Sequence, residues 1–286
     1  MSKIADFLVI VKKRFAACFV ILVSFGVLEA SPYAAWMKVE SDHAKISELT
    51  ILGTHNACAL HGGDYGACQS LELKAQLELG VRFLDIRCQW KDDDLHIVHG
   101  IADQKMRFSE VMDICQTFLD ENPSEMLLMS IKEQHSQKRK AGDFGKTFKR
   151  ILKDGKRKSS WLQQKKLPTL GEGRGKIVVV SRNNEIDGIP WGVFQIQDKF
   201  WINKKQSIEQ KWQAIIKHFS VIKELNKPSI NFTSCTGVFN PPNFTASKVN
   251  PKLIRFLLNK KNQTQVLGIV LVDFVTAEMA QAMYGK

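Results

Sequence analysis

The stretch GVRFLDIR, residues 80–87, decides the fold. Its apolar residues surround one arginine and lead into an aspartate and a second arginine, a pattern typical of a buried strand that ends on charged side chains. ILGTHN, residues 51–56, and LHIVHG, residues 95–100, follow a similar pattern on either side. Because α/β sheets and barrels collect catalytic residues at the carboxyl ends of their strands, we expect the polar side chains of these stretches to meet there. Those side chains are His55, Asp85, Arg87 and His99.

Apolar runs of strand length recur along the rest of the chain. We predict eight strands, over residues 46–53, 80–87, 95–99, 126–132, 177–181, 193–197, 229–233 and 266–272. Most of these runs are followed by a polar residue, and an amphipathic helix is predicted over 108–122. Eight such runs indicate an α/β fold, a single TIM-type (β/α)8 barrel whose active site lies at the carboxyl ends of the strands.

The amino terminus has the pattern of a secretory signal peptide. Basic residues at 12–14 precede an apolar run over 15–28, and small residues follow. A retained membrane anchor is the alternative, although this run is shorter than the roughly 20 residues that span a bilayer. We therefore expect a signal peptide at 1–30, secretion or release into a periplasm, and one barrel domain at 31–286. That length is close to the roughly 250 residues usual for such a barrel.

The predicted mature chain keeps five cysteines: Cys58, Cys68, Cys88, Cys115 and Cys235. Their odd number leaves at least one thiol free or paired between chains. Cys58 and Cys68 flank a glycine-rich loop, and in an oxidising compartment we expect them to form a disulfide. No spacing of cysteine and histidine in the sequence indicates a zinc site.

The formal net charge of +12 is unevenly distributed. Between Lys138 and Lys166, twelve basic residues stand against two aspartates. A solvated helix and loop would explain this pattern, and so would binding to an anionic membrane or to nucleic acid. Since each basic residue near an anionic leaflet contributes about 1 kcal/mol, the membrane is favoured for an exported protein that lacks a nucleic-acid-binding motif. We expect a monomer that binds no nucleic acid.

A second feature also points to a membrane. The segment 237–250 contains two consecutive prolines and is predicted to be an irregular loop over the barrel mouth. Four aromatic residues would then form an apolar rim, although aromatic residues more often belong to the core. They are Trp191, Trp201, Phe239 and Phe244.

Two histidines and an arginine around one point suit phosphodiester cleavage. The attacking oxygen must lose a proton, the leaving oxygen must gain one, and the charge on the phosphate must be stabilised. Histidine serves both transfers because its ordinary pKa of about 6.5 allows either form near neutrality. Arginine supplies a permanent charge and can bind two phosphate oxygens. Each motif alone is weak, since a single histidine is more often structural, but here they occur together.

These motifs resemble those of the bacterial phosphatidylinositol-specific phospholipases C, over about residues 43–275. LGTHN, GVRFLDIR and LHIVHG carry most of the resemblance, with weaker support from short segments around Lys132, Arg182, Asp198, Ile230 and Asp273. The resemblance implies a distorted α/β barrel and two reaction steps. The first releases diacylglycerol and forms inositol 1,2-cyclic phosphate, and the second slowly hydrolyses that cyclic product.

The resemblance also implies roles for individual residues. His55 would be the general base on the inositol 2-hydroxyl, and His99 the general acid on the leaving group. Asp273 would orient His55, Arg87 would neutralise the phosphate, and Asp85 would hold Arg87 or His99. We also expect Asn56 to contact the substrate, and four further positions match residues that bind the inositol ring. They are Lys132, Arg182, Asp198 and Phe200.

Arg87 bears on the expected cofactor. In the eukaryotic relatives a calcium ion takes the place of this guanidinium, so the resemblance implies that no metal or other cofactor is needed. Asn56 weakens the argument, because the calcium-dependent class carries an asparagine there and many calcium-independent members an aspartate. A single amide without carboxylate partners is nevertheless a poor calcium site.

Two other functions remain open at the level of sequence. One is a different phosphodiesterase on the same barrel, of the glycerophosphodiester or sphingomyelin type. Such enzymes need acidic metal ligands near the first histidine, where this chain has Asp85 together with Arg87. The other is an inactive barrel that binds membranes through the basic stretch, against which the presence of both histidines, the arginine and Asp273 argues.

Overall fold

Eleven strands and eight helices follow residue 31 in the computed structural model, which describes residues 31–134, 136, 138–153, 160–202, 208–225 and 227–285. The strands are β1 (Ile51–Thr54), β2 (Phe83–Lys91), β3 (Asp94–His99), β4 (Ala102–Arg107), β5 (Leu127–Glu133), β6 (Trp161–Leu162), β7 (Ile177–Ser181), β8 (Ile189–Pro190), β9 (Gln195–Gln197), β10 (Ser229–Phe232) and β11 (Ile269–Val272). The predicted signal peptide at 1–30 lies outside the described residues. Residues from 31 onward form one compact unit.

The helices lie between strands, as in an α/β barrel. They are α1 (Gly63–Gly66), α2 (Leu73–Glu78), α3 (Phe108–Glu121), α4 (Asp143–Lys153), α5 (Leu170–Gly173), α6 (Ile208–Leu225), α7 (Pro242–Leu258) and α8 (Ala277–Tyr284). Short 3-10 turns cover Trp36–Val39, Ile46–Glu48 and Trp191–Val193. In the described part of the chain, no helix is both long enough and apolar enough to cross a bilayer.

Eight parallel strands form a curled sheet in the order β6-β7-β5-β2-β1-β11-β10-β9. β8 pairs with β7 in parallel, and within the described ranges β9 pairs with β10 alone. The predicted α/β barrel is therefore confirmed as a distorted TIM-type barrel. Its opening lies between β9 and the β7 side of the sheet.

The prediction of the strands was wrong in one important place. The run 95–99 is not a barrel strand, because β3 turns back along β2 as an antiparallel strand and then pairs with β4. The short β6, which periodicity did not reveal, takes a place in the parallel sheet instead. Residues 46–48 form a 3-10 turn before β1, and 242–258 form helix α7, where an irregular loop over 237–250 was predicted.

The alternation of side chains along β2 separates the core from the site. Phe83 joins a cluster inside the barrel, whereas Leu84 and Ile86 join the cluster between the sheet and the helices. Successive side chains of a strand point to opposite faces, so Asp85 and Arg87 share the inner face with Phe83. The barrel interior is thus apolar near the start of β2 and charged towards its carboxyl end.

A buried ion pair connects the 3-10 turn Trp36–Val39 to the barrel. Arg82 and Glu125 are both fully buried and 2.8 Å apart, and Arg82 Nη1 also donates to the carbonyl oxygens of Leu77 and Val81 at 2.8 and 2.9 Å. Glu125 accepts from the backbone N–H of Met37 at 3.3 Å. Both buried charges, the Arg82 guanidinium and the Glu125 carboxylate, are therefore bonded to protein groups in place of water.

Removing one partner of this pair should destabilise the fold strongly. We expect Arg82→Met to lower the free energy of unfolding by about 3–5 kcal/mol, because Glu125 is left buried without its counter-charge. Urea unfolding followed by circular dichroism measures the change. Lys74→Met is the control, since Lys74 and Glu78 form an exposed pair whose contribution is about 0–1 kcal/mol. A loss for Arg82→Met as small as that of the control would contradict the prediction.

Candidate active site

Three neighbouring strands bring the predicted catalytic residues together. β1 lies between β2 and β11, and its last residue, Thr54, is paired with Leu84 on one side and Val272 on the other. The residues that follow these three are His55, Asp85 and Asp273. Parallel register therefore places a histidine between two carboxylates, as the strand-end argument predicted. After His55 the chain turns at Asn56, whose φ of 44° lies in the left-handed region that asparagine tolerates.

His55 is held in one tautomer by its neighbours. Its Nδ1 lies 2.7 Å from Oδ1 of Asp273, a carboxylate that is 2% exposed and can only accept, so Nδ1 carries the proton. The other nitrogen, Nε2, accepts from Nη2 of Arg87 at 2.8 Å and lies 3.2 Å from Nδ2 of Asn56. These partners assign the lone pair to Nε2, and the His55 ring lines the pocket.

Asp85 connects several polar side chains of the site through its buried carboxylate. It is fully buried, and its Oδ2 accepts from Nε and Nη2 of Arg87 at 3.3 and 3.2 Å. Its Oδ1 accepts from Arg182 Nη1 at 3.1 Å and from the Ser130 hydroxyl at 3.0 Å. Burial alone would raise the pKa of Asp85, but the two guanidinium groups hold it well below the ordinary value. Asp85 thus contacts Arg87, as predicted for a residue that holds it, and Arg182 is a second partner.

His99 reaches the site along the antiparallel hairpin. It lies two residues after Ile97, which pairs with Cys88, so β3 returns His99 towards the carboxyl end of the barrel. Its ring is 6.3 Å from that of His55 between centroids, at 81°. Nδ1 donates to the carbonyl oxygen of Gly66 at 2.8 Å, so this carbonyl orients His99, and not Asp85. Its Nε2 is then the ring nitrogen left without this backbone partner.

Burial shapes the acidity of His99. It lowers the pKa of the imidazole, and the charge of Arg87 acts in the same direction, while the bond to the Gly66 carbonyl opposes both. A histidine with a lowered pKa gives up its proton more readily than an exposed one. That property suits a group that donates a proton to a leaving oxygen.

The remaining predicted residues line the same pocket. The pocket holds about 380 Å³, and Lys132, Arg182, Asp198 and Phe200 contribute to its wall with both histidines, Arg87 and Asp273. Burial lowers the pKa of Lys132, and the nearby charges of Arg182 and Arg87 lower it further. The Arg182 guanidinium lies over the Trp191 ring, 4.1 Å from its centroid, so Trp191 supports Arg182 and is not part of an exposed rim as predicted.

Several lining residues were not predicted. Ser234, Cys235 and Thr236 follow the strand β10, and Tyr65 lies in α1. The first three continue an apolar run that the sequence revealed, so their position at a strand end was a usable signal. Tyr65 had none, because α1 is a short turn in a glycine-rich loop.

The cysteines differ from the expected pairing. Cys58 and Cys68 are both free and buried, so the predicted disulfide is wrong. Cys68 instead packs beneath the site, where its Sγ accepts from Nδ2 of Asn56 at 3.4 Å and lies 3.7 Å from Nδ1 of His99. The Cys68 side chain therefore contacts the loops of both histidines.

The site does not fit a calcium ion. Calcium takes six to eight oxygen ligands, whereas Asp85 already serves two guanidinium groups and Asp273 is bonded to His55. Among the described residues, the three groups that could share a metal are His55, Cys68 and Asp273, whose ligand atoms lie within 4.8 Å of one another. Nitrogen and sulfur ligands beside a guanidinium are unsuited to calcium.

Comparisons with known proteins agree with this geometry. Residues 43–183 match the family model "Phosphatidylinositol-specific phospholipase C, X domain". The 1-phosphatidylinositol phosphodiesterase of Listeria monocytogenes is 28% identical over 260 residues, which cover 84% of this chain and 80% of that protein. The protein of the same name from Staphylococcus aureus is 24% identical over 281 residues, covering 84% and 87%.

The fold leads to the same group of proteins. The structure of the phosphatidylinositol-specific phospholipase C from Listeria monocytogenes superimposes with a TM-score of 0.78 at 24% identity, covering 88% of this chain and 98% of that one. A structure of the Staphylococcus aureus enzyme gives a TM-score of 0.77 at 21% identity over 88% of this chain. With the X-domain match over residues 43–183 and relatives that align with most of its length, this chain is similar to the phosphatidylinositol-specific phospholipases C.

Proposed function

We propose that this protein is an exported phospholipase C that cleaves phosphatidylinositol to diacylglycerol and inositol 1,2-cyclic phosphate, and then slowly hydrolyses the cyclic product. The observation that carries the proposal is the pair of imidazoles, 6.3 Å apart between centroids, with the Arg87 guanidinium on the same pocket wall. A cyclisation needs a base, an acid and a cation at one phosphate, and these groups supply all three.

In the first step His55 acts as the base. Its Nε2 takes the proton of the inositol 2-hydroxyl, and the freed oxygen forms a bond to the neighbouring phosphorus. The bond from phosphorus to the glycerol oxygen breaks, and Nε2–H of His99 gives that oxygen its proton. Asp273, bonded to Nδ1 of His55, stabilises the imidazolium that forms.

Arg87 stabilises the phosphate during this step. Its planar guanidinium carries a permanent charge and binds oxygens in pairs, so it can neutralise the charge that develops on the phosphate. Asp85 holds the guanidinium through Nε and Nη2 and keeps it at a fixed place on the pocket wall. A cation held in place in advance costs little reorganisation when the reaction occurs.

The second step uses the same groups with their roles exchanged. His99 now takes a proton from water, the water oxygen attacks phosphorus, and the bond to the inositol 2-oxygen breaks. His55 returns a proton to that oxygen, as microscopic reversibility requires. The product is inositol 1-phosphate, and both histidines regain their starting protonation states.

The inositol ring would occupy the wall opposite the histidines. Lys132 and Arg182 can donate to ring hydroxyls, Asp198 can accept from them, and Phe200 can cover the apolar face of the ring. Phe200 is 60% exposed, so this aromatic ring lies at the mouth. A pocket of about 380 Å³ accommodates one head group and not the acyl chains, which would remain in the membrane.

We further propose that the reaction needs no metal ion. A divalent cation beside Arg87 would be repelled by the guanidinium, and the carboxylates that would hold it are already engaged. The engaged carboxylates also disfavour the alternative of a glycerophosphodiester or sphingomyelin type of enzyme, which would need them as metal ligands. Around His55, the carboxylates that the structure describes are those of Asp85 and Asp273, and both have cationic or imidazole partners.

The mouth of the pocket has an apolar rim suited to a membrane surface. Phe200 (60%), Trp201 (46%) and Val238 (61%) are exposed residues that line the pocket, and the exposed Phe239 (70%) and Phe244 (43%) lie close to the lining residues Val238 and Pro242 in the sequence. Insertion of such groups would bring the pocket to the head groups, and the basic residues of α4 would add attraction to anionic lipid. We propose that the protein is exported by its signal peptide and acts on this surface.

Replacing either histidine should remove most of the activity. We expect His55→Ala and His99→Ala each to lower kcat on phosphatidylinositol micelles by about 10²–10⁴-fold, as loss of a general base or acid does. Phosphorus NMR of the lipid and the cyclic phosphate measures turnover. His43→Ala is the control, because His43 is exposed and does not line the pocket.

A second substrate separates the two roles. A p-nitrophenyl ester of inositol phosphate has a leaving group that needs no proton, so it should restore much of the rate of His99→Ala and none of that of His55→Ala. Restoration in both variants, or in neither, would contradict the assignment of base and acid.

Chelation should leave the reaction unchanged. In excess EDTA we expect the native rate, and Arg87→Ala should lose about 10²–10³-fold because the fixed cation is removed. Added calcium should not restore the activity of Arg87→Ala. Activity of the native protein that appears only with calcium would disprove metal independence.

The rim should govern binding to vesicles and not the chemistry. We expect the double variant Phe239→Ser, Phe244→Ser to bind phosphatidylinositol-containing vesicles about tenfold or more weakly, since each inserted ring contributes on the order of 1–2 kcal/mol. The rate of hydrolysis of soluble inositol 1,2-cyclic phosphate should remain within about twofold of the native rate. This change is well below the expected tenfold loss of vesicle binding, which corresponds to about 1.4 kcal/mol. Val39→Ser is the control, because Val39 is 88% exposed beside Leu49 and Thr50 at the amino-terminal end of β1. Equal loss in that control would remove the rim from membrane binding.

A further inference from the structure

A lysine is fully buried behind the pocket. Lys211 lies in the first turns of α6, and its side chain has no exposed surface. Its Nζ donates to the backbone carbonyl oxygen of Lys199 at 3.0 Å. Burying an ammonium group costs free energy that an apolar side chain of similar volume would not, so packing of α6 does not require a lysine here.

The carbonyl that Lys211 contacts belongs to the segment 198–202. This segment folds tightly on itself: the N–H of Lys199 donates to the side chain of Gln197 at 2.7 Å, and that of Phe200 to the carbonyl of Asp198 at 2.9 Å. It is joined on its far side to Thr236, whose N–H donates to the Phe200 carbonyl at 2.7 Å. Lys211 therefore supports a turn that exposes its other face to the pocket.

The pocket face of this turn carries head-group contacts. Asp198, Phe200 and Trp201 all line the pocket, whereas the intervening carbonyl of Lys199 points away to Lys211. A shift of that carbonyl would move Phe200, whose N–H shares its peptide plane, and through the bond from this N–H to the Asp198 carbonyl it would also move Asp198. The position of Asp198 and Phe200 is thus mechanically linked to one buried hydrogen bond.

The charges around Lys211 belong to the site as well. Burial lowers the pKa of Lys211 to about 8, while Cys235, Asp198 and Asp273 act to raise it and Lys199 to lower it. Two of these groups, Asp198 and Asp273, are carboxylates on the pocket wall. The buried ammonium of Lys211 is therefore a positive charge that interacts with two carboxylates of the pocket wall, Asp198 and Asp273.

We propose that Lys211 is a positioning residue for the inositol head group, which holds the Lys199 carbonyl so that Asp198 and Phe200 keep their places on the pocket wall. The proposal rests on the proposed function, in which Asp198 and Phe200 contact the ring. Lys211 does not touch the substrate and acts through the turn.

The first test is a split between KM and kcat on a soluble substrate. We expect Lys211→Met, which keeps the length of the side chain and removes the donor and the charge, to raise KM for inositol 1,2-cyclic phosphate about tenfold, a change of 1.4 kcal/mol. kcat should change much less, because both histidines and Arg87 are untouched. Lys217→Met is the matched control, an exposed lysine on the same helix. If Lys211 only stabilised the fold, the variant would lose apparent kcat through its folded fraction at unchanged KM.

The second test uses the pH dependence of KM. In the native protein KM should rise between about pH 7 and 9, as the ammonium of a group with a pKa of about 8 loses its charge and becomes a weaker donor. In Lys211→Met this rise should be absent, although Lys132 remains. The native profile needs no variant, so a KM that is constant over this range overturns the proposal even where Lys211→Met does not fold.

The third test does not depend on turnover. Amide hydrogen exchange at 200–202 and 236 should be faster in Lys211→Met than in native protein, while the strands β1, β2 and β11 stay equally protected. Absence of turnover in the native protein would refute the proposed function, and exchange would still decide whether Lys211 fixes the turn. Unchanged exchange together with unchanged KM would refute the role of Lys211.

Discussion

The buried carboxylate of Asp85 is the group on which the pocket depends. One of its oxygens holds Arg87 and the other holds Arg182, so a single negative charge fixes two cations on the pocket wall. Two guanidinium groups beside each other would repel without it. Because Asp85 lies on β2, at the centre of the sheet, the strands β1 and β5 on either side keep it in place. The packing of the barrel strands thus determines where the two guanidinium groups lie in the pocket.

The positions of the predicted catalytic residues could be inferred from the sequence because they depend on local patterns. His55, Arg87 and Asp273 each follow or end an apolar run, and parallel strands bring such positions to one edge. The route of His99 was not predictable, since an apolar run of five residues does not distinguish a parallel strand from the return strand of a hairpin. Only pairing between β2 and β3 decides it.

Sequence patterns did not predict the contacts that loops and buried polar groups make. The carbonyl that orients His99 belongs to Gly66, whose backbone carries no side-chain signal. Lys211 lies on an amphipathic helix, where a lysine normally indicates the solvent face. The sequence predicted a disulfide for Cys68 from its spacing to Cys58 and the expected oxidising compartment. Its contacts with Asn56 and His99 depend instead on how the loops fold. The sequence therefore predicts which groups react better than it predicts which groups hold them.

The different partners of the two histidines divide their roles. Each donates from Nδ1, but His55 donates to a carboxylate and His99 to a neutral carbonyl. A carboxylate stabilises the imidazolium that forms when His55 accepts a proton, whereas burial and the charge of Arg87 make the protonated form of His99 less stable. One ring is thus better suited to gain a proton and the other to lose one. The first step of the proposed reaction requires this asymmetry, since the proton leaves one oxygen and arrives at another on opposite sides of the same phosphorus.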